Sequence, residues 1–202
     1  MTDNPTGGRV IFLNGTSSSG KGSIIAALLE ILPDAYVHIG YDDLFLLRRS
    51  DAYFGAQGFR LREQEDDDTE PIVMEISPLA ARYFAGMQRT VAAFASAGNN
   101  LIVDWVLWDD AWLHDFVRLL RDHEVLFVGV HCPLSEAEKR ERERGDRMIG
   151  LARSQFIHVH AYDLYDVTVD TSVATPVECA EQITAFLATG RRPSAFARLR
   201  GE

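Results

Sequence analysis

Hydrophobic positions along this chain alternate between two rhythms. Short apolar runs at Arg9 to Leu13, Ala35 to Gly40, Leu101 to Asp104, Val125 to Val130 and Val167 to Asp170 read as five strands. The first barely alternates, the pattern of a strand buried on both faces. Between the runs, apolar residues recur at helical spacing. Ile24, Ile25, Leu28, Leu29 and Leu32 give a first helix one apolar face, and Pro33-Asp34 ends it. A short helix is predicted over Leu44 to Arg49. A long amphipathic one runs from Pro78, placed in its first turn, to Gly98, its stop. Further helices are predicted over Asp109 to Asp122, Ser135 to Arg144, Ile149 to His160 and Pro176 to Leu187, with Ser135 to Glu138 resembling a capping box. Strands alternating with helices predict an α/β fold with a mostly parallel five-stranded sheet and helices on both faces. With no repeat and no linker, residues 1–202 read as a single domain, its ends 1–8 and 190–202 loosely ordered.

One stretch fits neither rhythm. Ser50 to Pro71 is irregular, with Gly55 and Gly58, the aromatics Tyr53, Phe54 and Phe59, and the acid run Glu65 to Asp68. A loop of that length in a compact domain is usually functional or disordered. The acid run reads as a solvated loop and the aromatics as a flap over a substrate.

The junction between the first strand and the first helix carries the chemistry. Gly15-Thr16-Ser17-Ser18-Ser19-Gly20-Lys21 is the phosphate-cradling pattern of two glycines four residues apart followed by Lys, lying between a strand and a helix as that pattern requires. The glycines let backbone N–H groups turn inward, the helix N-terminus adds positive potential, and Lys21 supplies a cation for the β- and γ-phosphates. This predicts a P-loop NTPase fold that binds ATP through residues 15–23. Ser or Thr normally follows the Lys and holds Mg²⁺. Here Gly22 stands there and Ser23 comes next, so Ser23 or other groups must hold the metal.

Composition narrows the reading. A 202-residue chain that is 47% hydrophobic buries a sizeable core. Its net charge of −10 argues against general nucleic-acid binding, so the phosphate site must be local. Two cysteines, Cys132 and Cys179, imply no disulfide framework, and neither a signal peptide nor a membrane-spanning run is present, so the expected compartment is the cytoplasm. The sequence is compatible with a homo-oligomer without requiring one.

In parallel α/β sheets ligands bind beyond the carboxyl ends of the strands. Asp42, Asp104 and His131 follow strands, as does the phosphate loop. Asp104 reads as a second-motif aspartate reaching Mg²⁺ directly or through water. Asp42 is placed to take the acceptor's proton, and Asp42 or Asp43 to cap the following helix; the pattern leaves open which does which. Of the arginines around Gly145-Asp146, Arg144 and Arg147 flank the turn and read as a short lid that clamps the transferring phosphoryl group. Trp105 and Trp108, with Asp43, Phe45 and Phe54, are candidates to line the acceptor pocket. His158 and His160, two apart on a helix, face different ways and do not form a metal pair.

These segments together resemble the chloramphenicol phosphotransferases, small P-loop kinases that pass the ATP γ-phosphate to a drug hydroxyl. The likeness rests on the Ile11-to-Ser23 loop, Gly40 to Leu44, Leu101 to Asp104, Val128 to Cys132, Arg144 to Arg147, Gln155 to His160 and Tyr165 to Thr171. It implies Asp42 as the base. In that family the loop reads Gly-Lys-Ser-Gly, the reverse of Gly22-Ser23, and a second Asp usually stands where Trp105 does. The resemblance therefore implies the reaction more than the acceptor. The expected activity is an ATP- and Mg²⁺-dependent kinase of a small-molecule hydroxyl, an antibiotic like chloramphenicol or a related metabolite. The alternatives are a toxin-like kinase of a nucleotide or sugar nucleotide, and a nucleotide-binding protein without transfer activity.

Overall fold

The structure is a computed structural model that describes residues 7–45, 51–53, 58–64, 70–146 and 148–202. Five strands, β1 (Val10–Asn14), β2 (Tyr36–Gly40), β5 (Asn100–Trp105), β6 (Val125–His131) and β7 (Val167–Asp170), form a parallel sheet in the order β2-β5-β1-β6-β7. The predicted strands thus all form, several reaching one residue further than the apolar runs. Register sets Gly40 opposite Asp104 and Asn14 opposite Trp105, so β2, β5 and β1 end at one level.

Period-two alternation divides the core between the two faces of the sheet. Val10 and Phe12 of β1, Leu101, Val103 and Trp105 of β5, and Val125 and Phe127 of β6 pack beneath α3 (Pro78–Ser96) and α4 (Asp110–Leu119). Ile11, Leu13, Ile102, Leu126, Val128 and Val130 face the other way, against α1 (Lys21–Ile31) and α7 (Pro176–Ala188). The central strand is buried throughout, as its unbroken apolar run predicts. Caps set the helix starts. Ser77 caps α3 with Pro78 at its first position, and Asp109 caps α4. The capping box lies at Thr175–Glu178 ahead of α7 rather than at Ser135–Glu138. Ser135 falls inside α5 (Leu134–Arg144), whose cap is Pro133 with no side-chain bond.

Two regions depart from the sequence reading. Within the stretch expected to be irregular, β3 (Phe59–Glu63) forms and pairs antiparallel with β4 (Ile72–Ile76) just beyond it, with Arg60 and Arg62 paired to Glu75 across the strands. The aromatic Phe59 belongs to this ribbon and packs into the core. The tail expected to be loosely ordered carries α8 (Ala195–Leu199), with Ala195 and Phe196 buried. Phe196 packs on Phe127, and the Asp166 carboxylate accepts the N–H groups of Ser194, Ala195 and Phe127. Among the described residues no helix is long and apolar enough to cross a membrane.

Candidate functional site

The loop between β1 and α1 folds as its two glycines require. Gly20 takes φ 95° and caps α1, and a Cβ there would also come within 3.2 Å of Thr171. A Cβ at Gly15 would stand 2.6 Å from the Val130 carbonyl, so that position also tolerates no side chain. The loop wraps around Lys21, which is 7% exposed and donates from Nζ to the carbonyls of Gly15 and Thr16 at 2.8 and 2.9 Å. The same ammonium lies 3.6 Å from Asp104 Oδ1. The hydroxyls of Ser18 and Ser19 are buried without a hydrogen-bond partner, in a fold where such groups are nearly always satisfied. A loop at a helix N-terminus with a buried cation and orphan hydroxyls fits the polyphosphate of a nucleotide.

In front of the loop lies a cavity of about 460 Å³. One wall comes from the loop: Ser17, Gly20, Lys21, Gly22 and Ser23. The rim carries Asp42, Asp43, Asp104 and Arg144. The far wall is apolar and aromatic, built from Tyr41, Val106, Trp108 and Trp112 with Phe59, Leu61 and Met74 of the ribbon. Sequence positions spread over most of the chain therefore meet at the carboxyl edge of the sheet.

The structure separates the two adjacent aspartates. Asp43 Oδ2 accepts the Gly40 N–H at 2.9 Å and lies 3.7 Å from His38 Nδ1, so Asp43 is the residue that caps α2 (Tyr41–Phe45). Asp42 lines the cavity beside it. Asp104 and Trp105 diverge because neighbouring strand residues point to opposite faces. Asp104 reaches the cavity, whereas Trp105 is fully buried and meets the rings of Tyr41 and Phe116 at 5.4 and 4.9 Å. Trp105 is thus a core residue and not a pocket residue. Trp108 lines the pocket as expected. The side chain of Phe45, and all of Phe54 and Arg147, lie outside the described residues. Arg144 borders the cavity with its guanidinium on Asp146 at 2.8 Å.

Ser23 and Asp104 both line the cavity, as does Lys21. Among the described residues no group of three or more His, Cys, Asp or Glu side chains is placed to hold a metal. One hydroxyl and one carboxylate suit Mg²⁺ that arrives on phosphate oxygens rather than a resident ion.

Several contributors escaped the sequence reading. Arg140 spans from Glu136 to Thr171, giving two bonds of 3.0 Å to Thr171, and the Thr171 hydroxyl donates to the Ser19 carbonyl at 2.8 Å. The Glu136–Arg140 spacing is the usual pattern of a solvated helix face, which hides this strut under the loop. Asn14, 1% exposed, donates to the Val159 carbonyl and to Tyr165 Oη, and accepts the Leu107 N–H. Tyr165 in turn bonds His160 Nδ1 at 2.7 Å, and His160 stacks on His131 with centroids 4.2 Å apart. His158 pairs with Glu70 instead, so the two histidines part as their spacing predicts. Burial, and next the neighbouring His131, pull the His160 pKa down to about 4, while burial pushes Tyr165 up. Glu141 is 1% exposed and accepts the N–H groups of Gly150 and Ala152 at 2.8 Å each, fixing the start of α6 (Leu151–Val159).

Known proteins resemble this chain in sequence and in fold. Residues 8–188 match the family described as chloramphenicol phosphotransferase-like protein. A protein of Mycobacterium tuberculosis strain H37Rv, provisionally named an O-phosphotransferase, is 34% identical over 203 residues, covering 96% of this chain and 88% of that relative. The tunicamycin resistance protein of Deinococcus radiodurans superposes with a TM-score of 0.60 at 18% identity, over 89% of this chain and 96% of its own. The Mycobacterium tuberculosis APS kinase gives a TM-score of 0.58 at 16% identity, over 90% and 98%. At such identities these two structures share the fold, that of the P-loop kinases.

Proposed function

The chain belongs to the chloramphenicol phosphotransferase-like family, and from that premise we propose an ATP-dependent kinase that passes the γ-phosphate to a hydroxyl of a small molecule. The observation that carries this reading is the single cavity in which the phosphate loop, Asp42 and an aromatic wall face one another. The acceptor class it fits best is an alcohol with an apolar or aromatic body, a chloramphenicol-like antibiotic or a related metabolite.

Each residue then has a part. The loop N–H groups and Lys21 bind the β- and γ-phosphates. Asp42 accepts the hydroxyl proton as the oxygen attacks the γ-phosphorus, whose bond to the bridging oxygen breaks to release ADP. Lys21 and Arg144 offset charge on the transferring group, Arg144 by exchanging Asp146 for phosphate oxygens. Ser23 and Asp104 would hold Mg²⁺, which would supply neutralisation of phosphate charge. Tyr41, Trp108, Trp112 and the ribbon pack the acceptor body and exclude water.

The test is transfer of label from γ-labelled ATP with Mg²⁺ to a panel of hydroxyl-bearing compounds that includes chloramphenicol. Asp42→Asn is expected to lower transfer by about two to four orders of magnitude, the usual worth of a general base, while ADP affinity stays near wild type. Full activity in Asp42→Asn would sink the base assignment. Nucleotide binding with no transfer to any alcohol in the panel would favour a binding protein without transfer activity.

A further inference from the structure

Gln155 is the side chain that α6 extends into the phosphate loop. Its Oε1 accepts the Ser17 N–H at 2.6 Å, and the residue is 5% exposed. Because Ser17 offers a donor, the amide must present oxygen to it and turn its NH₂ group elsewhere. Among the described residues that NH₂ has no hydrogen-bond partner, and Gln155 lines the cavity alongside Ser17, Lys21 and Arg144. A double donor without a partner thus stands at the mouth of a phosphate-binding loop.

The aim of this side chain is fixed from three sides. Glu141 holds the N-terminus of α6 through Gly150 and Ala152. Ser154 Oγ, fully buried, accepts the Ile72 N–H at 2.7 Å and ties the helix to the ribbon. Asn14 holds its last residue through the Val159 carbonyl at 2.7 Å. A residue so placed is preorganised, and little side-chain freedom remains to be lost when a ligand arrives.

We propose that Gln155 reads the terminal phosphate of the bound nucleotide, its oxygen holding Ser17 in place while its NH₂ donates to the γ-phosphate. This rests on the reading of the loop as an ATP site and adds the residue that distinguishes triphosphate from diphosphate. The simpler role, a strut that shapes the loop, uses the oxygen alone. Glu at this position keeps an oxygen for Ser17 but replaces the donor with a negative charge. Leu removes both.

The experiment is calorimetric titration of wild type, Gln155→Glu and Gln155→Leu with Mg²⁺-ADP and Mg²⁺-AMP-PNP, with melting curves of the nucleotide-free proteins. Gln155→Glu is expected to melt as wild type does and to bind ADP within about twofold, yet to bind AMP-PNP at least about tenfold more weakly. Gln155→Leu should weaken both nucleotides and melt lower. Equal affinities of Gln155→Glu and wild type for AMP-PNP, or an equal loss for ADP and AMP-PNP, would overturn the proposal and leave Gln155 a strut. A wild-type protein that binds neither nucleotide would overturn the ATP-site reading itself.

Discussion

Gly22 stands where a hydroxyl normally follows the phosphate-loop lysine, and the structure shows that nothing forbids one. A Cβ built there meets no atom within 4 Å, and the residue is the second of α1 with no left-handed φ. Serine is also a better helix former than glycine by roughly 0.5 kcal/mol. Gly22→Ser should therefore fold at least as stably as wild type and bind nucleotide more tightly when Mg²⁺ is present. Titration with ADP, with Mg²⁺ and with EDTA, checks this. An unchanged Mg²⁺ dependence would mean that Ser23 and Asp104 already satisfy the metal. At this scale the sequence was most informative where chemistry follows directly from a strand end. Ser17 and Gly20 to Ser23 of the loop, with Asp42, Asp104 and Trp108, were legible and meet in one cavity. Trp105 was misplaced because the strand was read one residue short. Extending β5 to Trp105 puts it in phase with Leu101 and Val103, on the core face. Gln155 and Glu141 were not legible as single residues. Their roles depend on partners 138 and 9 positions away that no local pattern names.

Elements that follow one clear period were legible, and those made by tertiary contact were not. The five parallel strands and the long helices announce themselves by apolar spacing. The β3–β4 ribbon does not, because its strands are short, carry Arg60, Arg62 and Glu75, and bury one side against α3 and α6 rather than following the main sheet. The helix α8 was hidden by the basic composition of the tail, although Phe196 packs against Phe12 and Phe127. What seats that helix is Asp166, whose carboxylate serves three backbone donors, Phe127, Ser194 and Ala195. Removing the carboxylate leaves donors without partners at the start of a buried helix. Asp166→Ala should cost roughly 3 kcal/mol, read as a lower urea midpoint with little change in slope. Neither Asp166 nor any residue of α8 lines the cavity, so nucleotide affinity should persist under conditions where the variant is folded. A loss below about 0.5 kcal/mol would show that α8 is held by Phe196 packing alone.

For the molecule as a whole, the parallel sheet brings charge to its carboxyl edge and then has to support it from behind. Directly under the phosphate loop lie Asn14, Tyr165, His160 and His131, joined by hydrogen bonds and ring stacking. This support is polar, partly buried and titratable, which ties global stability to pH. Burial, the adjoining His131 and the Lys21 ammonium all lower the His160 pKa, Asp163 raises it, and the balance is about 4 against an ordinary 6.5. Between those values the unfolded chain takes up a proton that the folded ring refuses. Stability is therefore complete above pH 6.5 and falls as pH drops from 6.5 toward 4. From pH 7 to pH 5 the loss from this ring is about 2 kcal/mol at most. Other groups also contribute to the pH dependence of stability, so the decisive quantity is a difference between two proteins. His160→Gln keeps an acceptor and a donor for Tyr165 but cannot be protonated. Urea unfolding at pH 7 and pH 5 should show wild type losing more stability than His160→Gln by an amount of that order. Parallel losses in the two proteins would mean that the stacked pair accepts a proton in the folded state without strain, and that the support under the loop is indifferent to pH.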